Sequence, residues 1–197
     1  MSEKQSRAEA ADARKRHIVQ TAVICFIEQG FHQTSIRDIA KRAGVSLGNI
    51  YNHFDSKNAL IAEIATLEAA DLATMQSALS SAADSRAALN DFVSRYLDYC
   101  SKPAHAALTV EILAEAARDP KIADGFAENR DHLLAALRLQ IEAVQKGQTS
   151  GSKLAPQECA EYILDLIEGL AMRAVFSGRK AAKGEVESLK KAIDRLL

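Results

Sequence analysis

The chain has 197 residues, 48% of them apolar and 26% charged, the balance of a globular protein rather than a disordered or fibrous one. No apolar run reaches the ~18–20 residues of a membrane helix, and the N-terminus MSEKQSRAEAADARKR lacks the apolar core of a signal peptide. A cytoplasmic protein with no membrane partner is expected. The net charge of −1 hides an asymmetry: residues 1–57 carry nine Lys/Arg against six Asp/Glu, and the remainder sixteen against twenty. A basic end on an acidic remainder suits an end that meets nucleic acid, or simply a solvated surface.

Taken in chain order, residues 1–12 show no apolar face and are expected to be flexible. Ile18, Ala22, Cys25, Phe26 and Gln29 recur at helical spacing and predict a first helix, which Gly30 ends with a left-handed cap. Thr34 or Ser35 then caps a second helix whose inward face is Ile36, Ile39, Ala40 and Ala43. Gly44 supplies the tight turn, Val45 and Ile50 point back inward, and Ser46 caps a short third helix running to about Phe54. That is a helix-turn-helix, its last helix exposed for recognition. Asp55 or Ser56 caps the next helix, with Leu60, Ile64 and Leu67 as its buried stripe.

The rest is helical too. The alanine-rich stretch 69–88 is helix-compatible. Leu89, Phe92, Val93, Tyr96, Leu97 and Cys100 form a stripe, as do Ile122, Phe126, Leu133, Leu137, Ile141 and Val144. Val186, Leu189, Ile193 and Leu196 close the chain. Residues 145–156 (QKGQTSGSKLAP) form the one long breaker-rich loop. No segment alternates at period two, and the three prolines fall where helical periodicity breaks, so the expected fold is all-α. A three-helix domain at 1–58 is followed by a bundle of about six helices at 59–197. Cys25, Cys100 and Cys159 lie far apart on apolar helix faces and read as small buried hydrophobes. No cofactor, metal-ligand set or catalytic constellation is expected.

The run Cys159–Phe176 is apolar around most of its circumference, which calls for burial on more than one side. A second copy of the chain is the economical partner. Tyr162, Ile163, Leu166, Gly169, Leu170 and Phe176, with Leu189 and Ile193 from the last helix, are the expected homodimer contacts.

For DNA, chemistry selects residues around the helix-turn-helix. Arg37 suits guanine or a phosphate, or is simply a solvated charge. Ser46, Leu47, Gly48 and Asn49 form the exposed first turn of the recognition helix, where Gly48 allows close approach, Leu47 suits a thymine methyl and Asn49 suits adenine. Lys57, at the start of the following helix, is expected to clamp a phosphate together with that helix's N-terminal amides. Thr34 and Ser35 face a phosphate as well as capping. Arg14, Lys15 and Arg16 either reach the DNA or form an unspecific basic tail.

One ordered set of residues carries a family resemblance: Phe26-Ile27-Glu28-Gln29-Gly30-Phe31, Thr34-Ser35-Ile36, Asp38-Ile39-Ala40, Ala43-Gly44-Val45-Ser46, Gly48, Ile50-Tyr51, His53-Phe54 and Lys57. Over roughly residues 14–62 it resembles the DNA-binding domain of the TetR (tetracycline repressor) family of bacterial transcriptional regulators. Glu115-Ala116-Ala117-Arg118-Asp119-Pro120 and Leu166-Ile167-Glu168-Gly169-Leu170 echo the family more loosely. The resemblance implies DNA-backbone contacts from Tyr51 and His53. Between them stands Asn52, where many members carry an aromatic or a histidine. It also implies a dimeric repressor on a pseudo-palindromic double-stranded operator, released by a small-molecule effector bound among the C-terminal helices. Tyr96, Tyr99, Cys100, His105, Phe126, His132 and Met172 are the candidate lining residues. Glu111 and Glu115, at i,i+4 spacing, read as scaffold or exposed charges rather than ligand contacts. The competing readings are a helical-bundle enzyme or carrier using that pocket, and an architectural protein binding DNA without sequence preference.

Overall fold

The structure is a computed structural model, and it describes residues 3–147 and 154–197. Among these, every regular element is a helix. They are α1 (Glu3–Gln29), α2 (Ile36–Ala43), α3 (Leu47–Tyr51), α4 (Lys57–Ser81), α5 (Ser85–Cys100), α6 (Pro103–Ala116), a 3-10 turn at Pro120–Ile122, α7 (Asp124–Lys146), α8 (Pro156–Phe176) and α9 (Lys183–Leu196). Of the loop expected at 145–156, residues 148–153 lie outside the described residues, while α7 takes in 145 and 146 and α8 begins at Pro156.

Two compact units result. The first comprises residues 1–67 and 107–125, the second 68–106 and 126–197. The division expected from sequence at residue 58 is a cut along the chain. The compact units interleave, because most of α6 and the 3-10 turn group with the N-terminal helices.

In the first unit, Ile18, Val19, Ala22, Cys25 and Phe26 of α1 are buried with Ile39 and Ala40 of α2, Ile50 of α3 and Leu60 of α4. Phe26 and Phe31 hold their rings 5.1 Å apart. Gly30 ends α1 at φ 82° and Gly44 ends α2 at φ 67°, conformations that cost a residue with a Cβ roughly 1–2 kcal/mol. Residues 3–12 are a correction to the expected flexible tail: α1 begins at Glu3. Alanine, glutamate, lysine, arginine and glutamine dominate this segment, and their high helix propensity with no intervening Gly or Pro extends the helix where no apolar stripe announces it.

The second unit has a core of Leu72 and Leu79 from α4, Leu89, Phe92, Val93 and Leu97 from α5, Leu133, Leu137 and Ile141 from α7, Cys159, Ile163, Leu164 and Ile167 from α8, and Leu189 and Ile193 from α9. All three cysteines are buried thiols. Helix α8 resolves its all-round apolarity into two faces. Ile163, Leu164, Ile167 and Leu170 enter the chain's own core, whereas Tyr162, Leu166, Gly169 and Phe176 face outward, Phe176 at 74% exposure. Of the residues expected at a subunit contact, Ile163, Leu170, Leu189 and Ile193 are therefore corrected to the internal core. Their periodicity is equally good for either surface, so spacing alone does not separate the two.

Candidate nucleic-acid interface

Helix α2 starts with a complete capping box. Ser35 Oγ accepts the Asp38 N–H at 3.1 Å, and Asp38 Oδ2 accepts the Ser35 N–H at 3.0 Å. Thr34 does something else: its buried hydroxyl donates to the Cys25 and Gly30 carbonyls at 3.2 and 2.8 Å, tying the end of α1 to the turn. The expected phosphate role of the Thr34 side chain is thereby corrected. Arg42 pairs with Glu28 through two nitrogens, which pins the end of α2 back to α1.

Helix α3 is a single turn and a half. Ser46 Oγ accepts the Asn49 N–H at 3.1 Å and caps it. It ends at Tyr51 with Asn52 as C-cap, three residues short of the expected end at Phe54; His53 and Phe54 still donate to the Ile50 carbonyl. Ile50 and Phe54 are buried and anchor the element, while Ser46, Gly48, Tyr51, Asn52 and Arg37 lie toward solvent. Leu47, Asn49 and His53 flank them at the same surface. A Cβ placed on Gly48 meets nothing within 4 Å, so the surface over this turn is open. Asn49 Oδ1 lies out of solvent with no donor against it.

Lys57, expected as a phosphate clamp, also turns its ammonium inward. Its ammonium donates to the Phe31 carbonyl at 2.7 Å and the Thr34 carbonyl at 2.9 Å, and sits 4.3 Å from the centre of the Phe31 ring. Burial lowers its pKa, opposed by the charge of Glu115. The same corner is held by Glu111, whose carboxylate accepts the Phe31 N–H, and by Glu115, which pairs with His32 and Arg118 at 2.8 Å each. Both glutamates are thus scaffold. Ser56 Oγ, rather than Asp55, accepts from the Ala59 N–H at the start of α4.

In the second unit, four of the candidate pocket residues come together. The rings of Phe92, Tyr96 and Tyr99 stack in a row at 5.3 and 6.4 Å, and Tyr99 meets His105 at 4.4 Å; Cys100 is buried at the end of α5. Burial pushes the Cys100 thiol up to about 12, raises both tyrosines and lowers His105. Phe126 and Met172 are half-buried and His132 is exposed. Sequence reasoning missed the charged partners. Tyr96 donates to Glu168 at 2.9 Å, Arg130 donates to Glu168 and Asp165 at 2.6 Å each, and Asn129 donates to Glu68 at 2.9 Å. One signal for them exists: Asn129 is a polar residue inside the apolar stripe running from Phe126 to Leu133. A separate cavity of about 320 Å³, lined by Met75, Leu79, Ala88, Phe92 and Arg95 among others, opens beside the first ring of the row.

The first unit has the architecture of a DNA-reading head, with two capped helices at a tight glycine turn and the second helix presented to solvent. Known proteins share it. Residues 18–64 match the family model described as bacterial regulatory proteins, tetR family, and residues 85–197 match the BetI-type transcriptional repressor C-terminal model. The regulator UidR of Escherichia coli K12 is 31% identical over 171 residues, covering 83% of this chain and 82% of that protein. The repressor KstR2 of Rhodococcus jostii is 37% identical over 81 residues, and there the match spans 41% of this chain and 40% of the relative. The structure of Salmonella enterica GusR superposes with a TM-score of 0.78 at 24% identity, covering 93% of this chain and 95% of that one. The chain belongs to the tetR family of bacterial regulatory proteins, and it is a DNA-binding transcriptional regulator.

Proposed function

We propose that the protein is a cytoplasmic homodimeric repressor that binds a pseudo-palindromic operator through residues 1–58 and is released by a small-molecule effector held within residues 59–197. The observation that carries the DNA half of this reading is the capped, exposed first turn of α3 over an open surface. Base readout is assigned to Arg37, Leu47 and Asn49, and backbone contacts to Ser35, Ser46, Gly48, Tyr51, Asn52 and His53. The unmet Oδ1 of Asn49 supports its part, because swinging out to an adenine gives both amide atoms partners.

The dimer half rests on α8. Tyr162, Leu166 and Phe176 leave an apolar face exposed next to Gly169, where a second α8 can approach closely. Effector binding is assigned to the row Tyr96, Tyr99 and His105 with Cys100, entered from the cavity at Phe92. In this reading the effector is bound and released without being transformed. It acts by preferring a state in which the two heads no longer match successive major grooves.

The test is footprinting on a duplex selected from a random pool. Half-site centres should lie about one helical turn apart, some 34–36 Å, and inserting about five base pairs between them should abolish tight binding. Arg37→Ala or Asn49→Ala should relax discrimination at one base pair per half-site by about 1–3 kcal/mol. Equal affinity at every spacing refutes the dimeric-operator reading.

A further inference from the structure

Helix α1 runs on past the helix-turn-helix, and three contacts mark where the overhang starts. His17 Nε2 lies 3.1 Å from the Ala43 carbonyl, just before the turn into α3. Lys15 Nζ pairs with Glu63 at 2.6 Å and lies 5.8 Å from the centre of the Phe54 ring, just beyond α3. Residues 15–17 are therefore level with the recognition helix, and every residue from Arg7 to Arg14 is exposed. At 1.5 Å per residue, Arg7 to Arg14 adds about 10 Å of helix beyond that level.

The overhang is patterned. The face of α1 that buries Ile18, Ala22 and Cys25 continues N-terminally, at spacings of three and four, through Arg14, Ala11 and Arg7. Glu9 and Asp12 fall on other sides of the helix. The core-facing stripe thus turns from apolar to basic where it leaves the protein, with a small alanine between two arginines. A basic stripe of this kind on an exposed helix suits a polyanion that lies alongside it.

We propose that this polyanion is DNA: in each subunit the α1 arm lays Arg7 and Arg14 along the phosphate backbone flanking the bases that α3 reads. Charge complementarity and continuity with the helix-turn-helix select this occupant. The inference rests on the DNA-binding reading of α2 and α3 and adds a contact outside it. Phosphate contacts position a protein without reading sequence, so the arm lengthens the footprint and leaves base preference unchanged.

The experiment uses the full chain and a duplex that it selects from a random pool, in two lengths. One carries about ten base pairs, one helical turn, of unselected flank on each side; the other is cut at the selected edge. Arg7→Ala/Arg14→Ala should bind the flanked duplex at least about tenfold more weakly than the wild type. Its plot of log K against log salt should be shallower by roughly one for each phosphate that the arm no longer neutralises. Both proteins should bind the trimmed duplex alike. Arg7→Lys/Arg14→Lys should retain most of the affinity. Ala11→Glu, which keeps both arginines and a good helix former, should weaken the flanked duplex as the alanine pair does. An unchanged salt slope, or an equal loss on both lengths, overturns the arm contact and leaves recognition by α3 standing. A wild-type chain that selects no duplex overturns the DNA-binding reading itself.

Discussion

The carboxylate of Glu111 accepts the backbone N–H of Phe31 at 2.8 Å, across 80 residues of sequence. Both carboxylate oxygens also lie within 4 Å of where a Cβ on Gly30 would stand. A single α6 side chain therefore supports the one backbone corner that joins α1 to the helix-turn-helix. Glu111→Ala leaves the Phe31 donor unmet and should cost about 1–3 kcal/mol. Glu111→Gln keeps an acceptor and should cost less. Chemical denaturation of the two variants, with amide exchange at residues 30–34, checks the ordering.

Lys57 binds the other side of the same corner. Lys57→Ala frees the Phe31 and Thr34 carbonyls and removes a cation from the Phe31 ring. Stability should fall by about 1–3 kcal/mol, since hydrogen bonds from a charged donor are the stronger kind. The salt dependence of DNA binding, measured on folded protein, should be unchanged. A slope shallower by about one counterion per subunit would return Lys57 to the DNA backbone.

The helix-turn-helix is legible in the sequence because its order of caps, glycine turn and inward apolar residues has few other uses. Thr34 and Lys57 are ambiguous in the sequence for a shared reason. A hydroxyl or ammonium beside a helix start serves an internal carbonyl as well as a phosphate, and only coordinates distinguish the two. The pocket residues on α5 follow the apolar period and are visible in it; Glu68, Asn129, Arg130 and Glu168 meet across different helices, a pairing that no spacing encodes. In α8 the sequence shows that two surfaces must be covered without showing which residue belongs to which.

That division of α8 makes a paired prediction. Leu166 is 40% exposed and Leu170 is 7% exposed, one helical turn apart. Leu166→Glu should leave a folded chain that sediments as a monomer. Leu170→Glu places an unpaired charge in the chain's own core and should unfold the second unit. Circular dichroism and sedimentation of the two variants tell these outcomes apart.

Glu68 gives a pH signature. Burial raises its pKa above the ordinary 4.5, against the lowering effect of the Asn129 hydrogen bond. The folded protein then holds a proton that the unfolded chain releases, so this group's contribution falls as pH rises from 4.5 through the folded value. Glu68→Gln mimics the protonated form and keeps an acceptor for Asn129. Its stability relative to the wild type should be greatest near pH ~7 and shrink as pH approaches the ordinary carboxylate range. Denaturation midpoints across that range read the difference directly, and a gap that widens on acidification would contradict the assignment.

The burial of all three thiols turns the cysteines into native reporters. Cys25 belongs to the first unit, and Cys100 and Cys159 to the second. A small alkylating reagent reacts with thiolate only after local opening, and burial raises the pKa of Cys25 and Cys100, which further suppresses reaction in the closed state. Timed alkylation followed by peptide mass spectrometry consequently clocks the opening of each unit separately, with no engineered label. Repeating it with selected DNA, and then with a candidate inducer, shows which unit each ligand tightens.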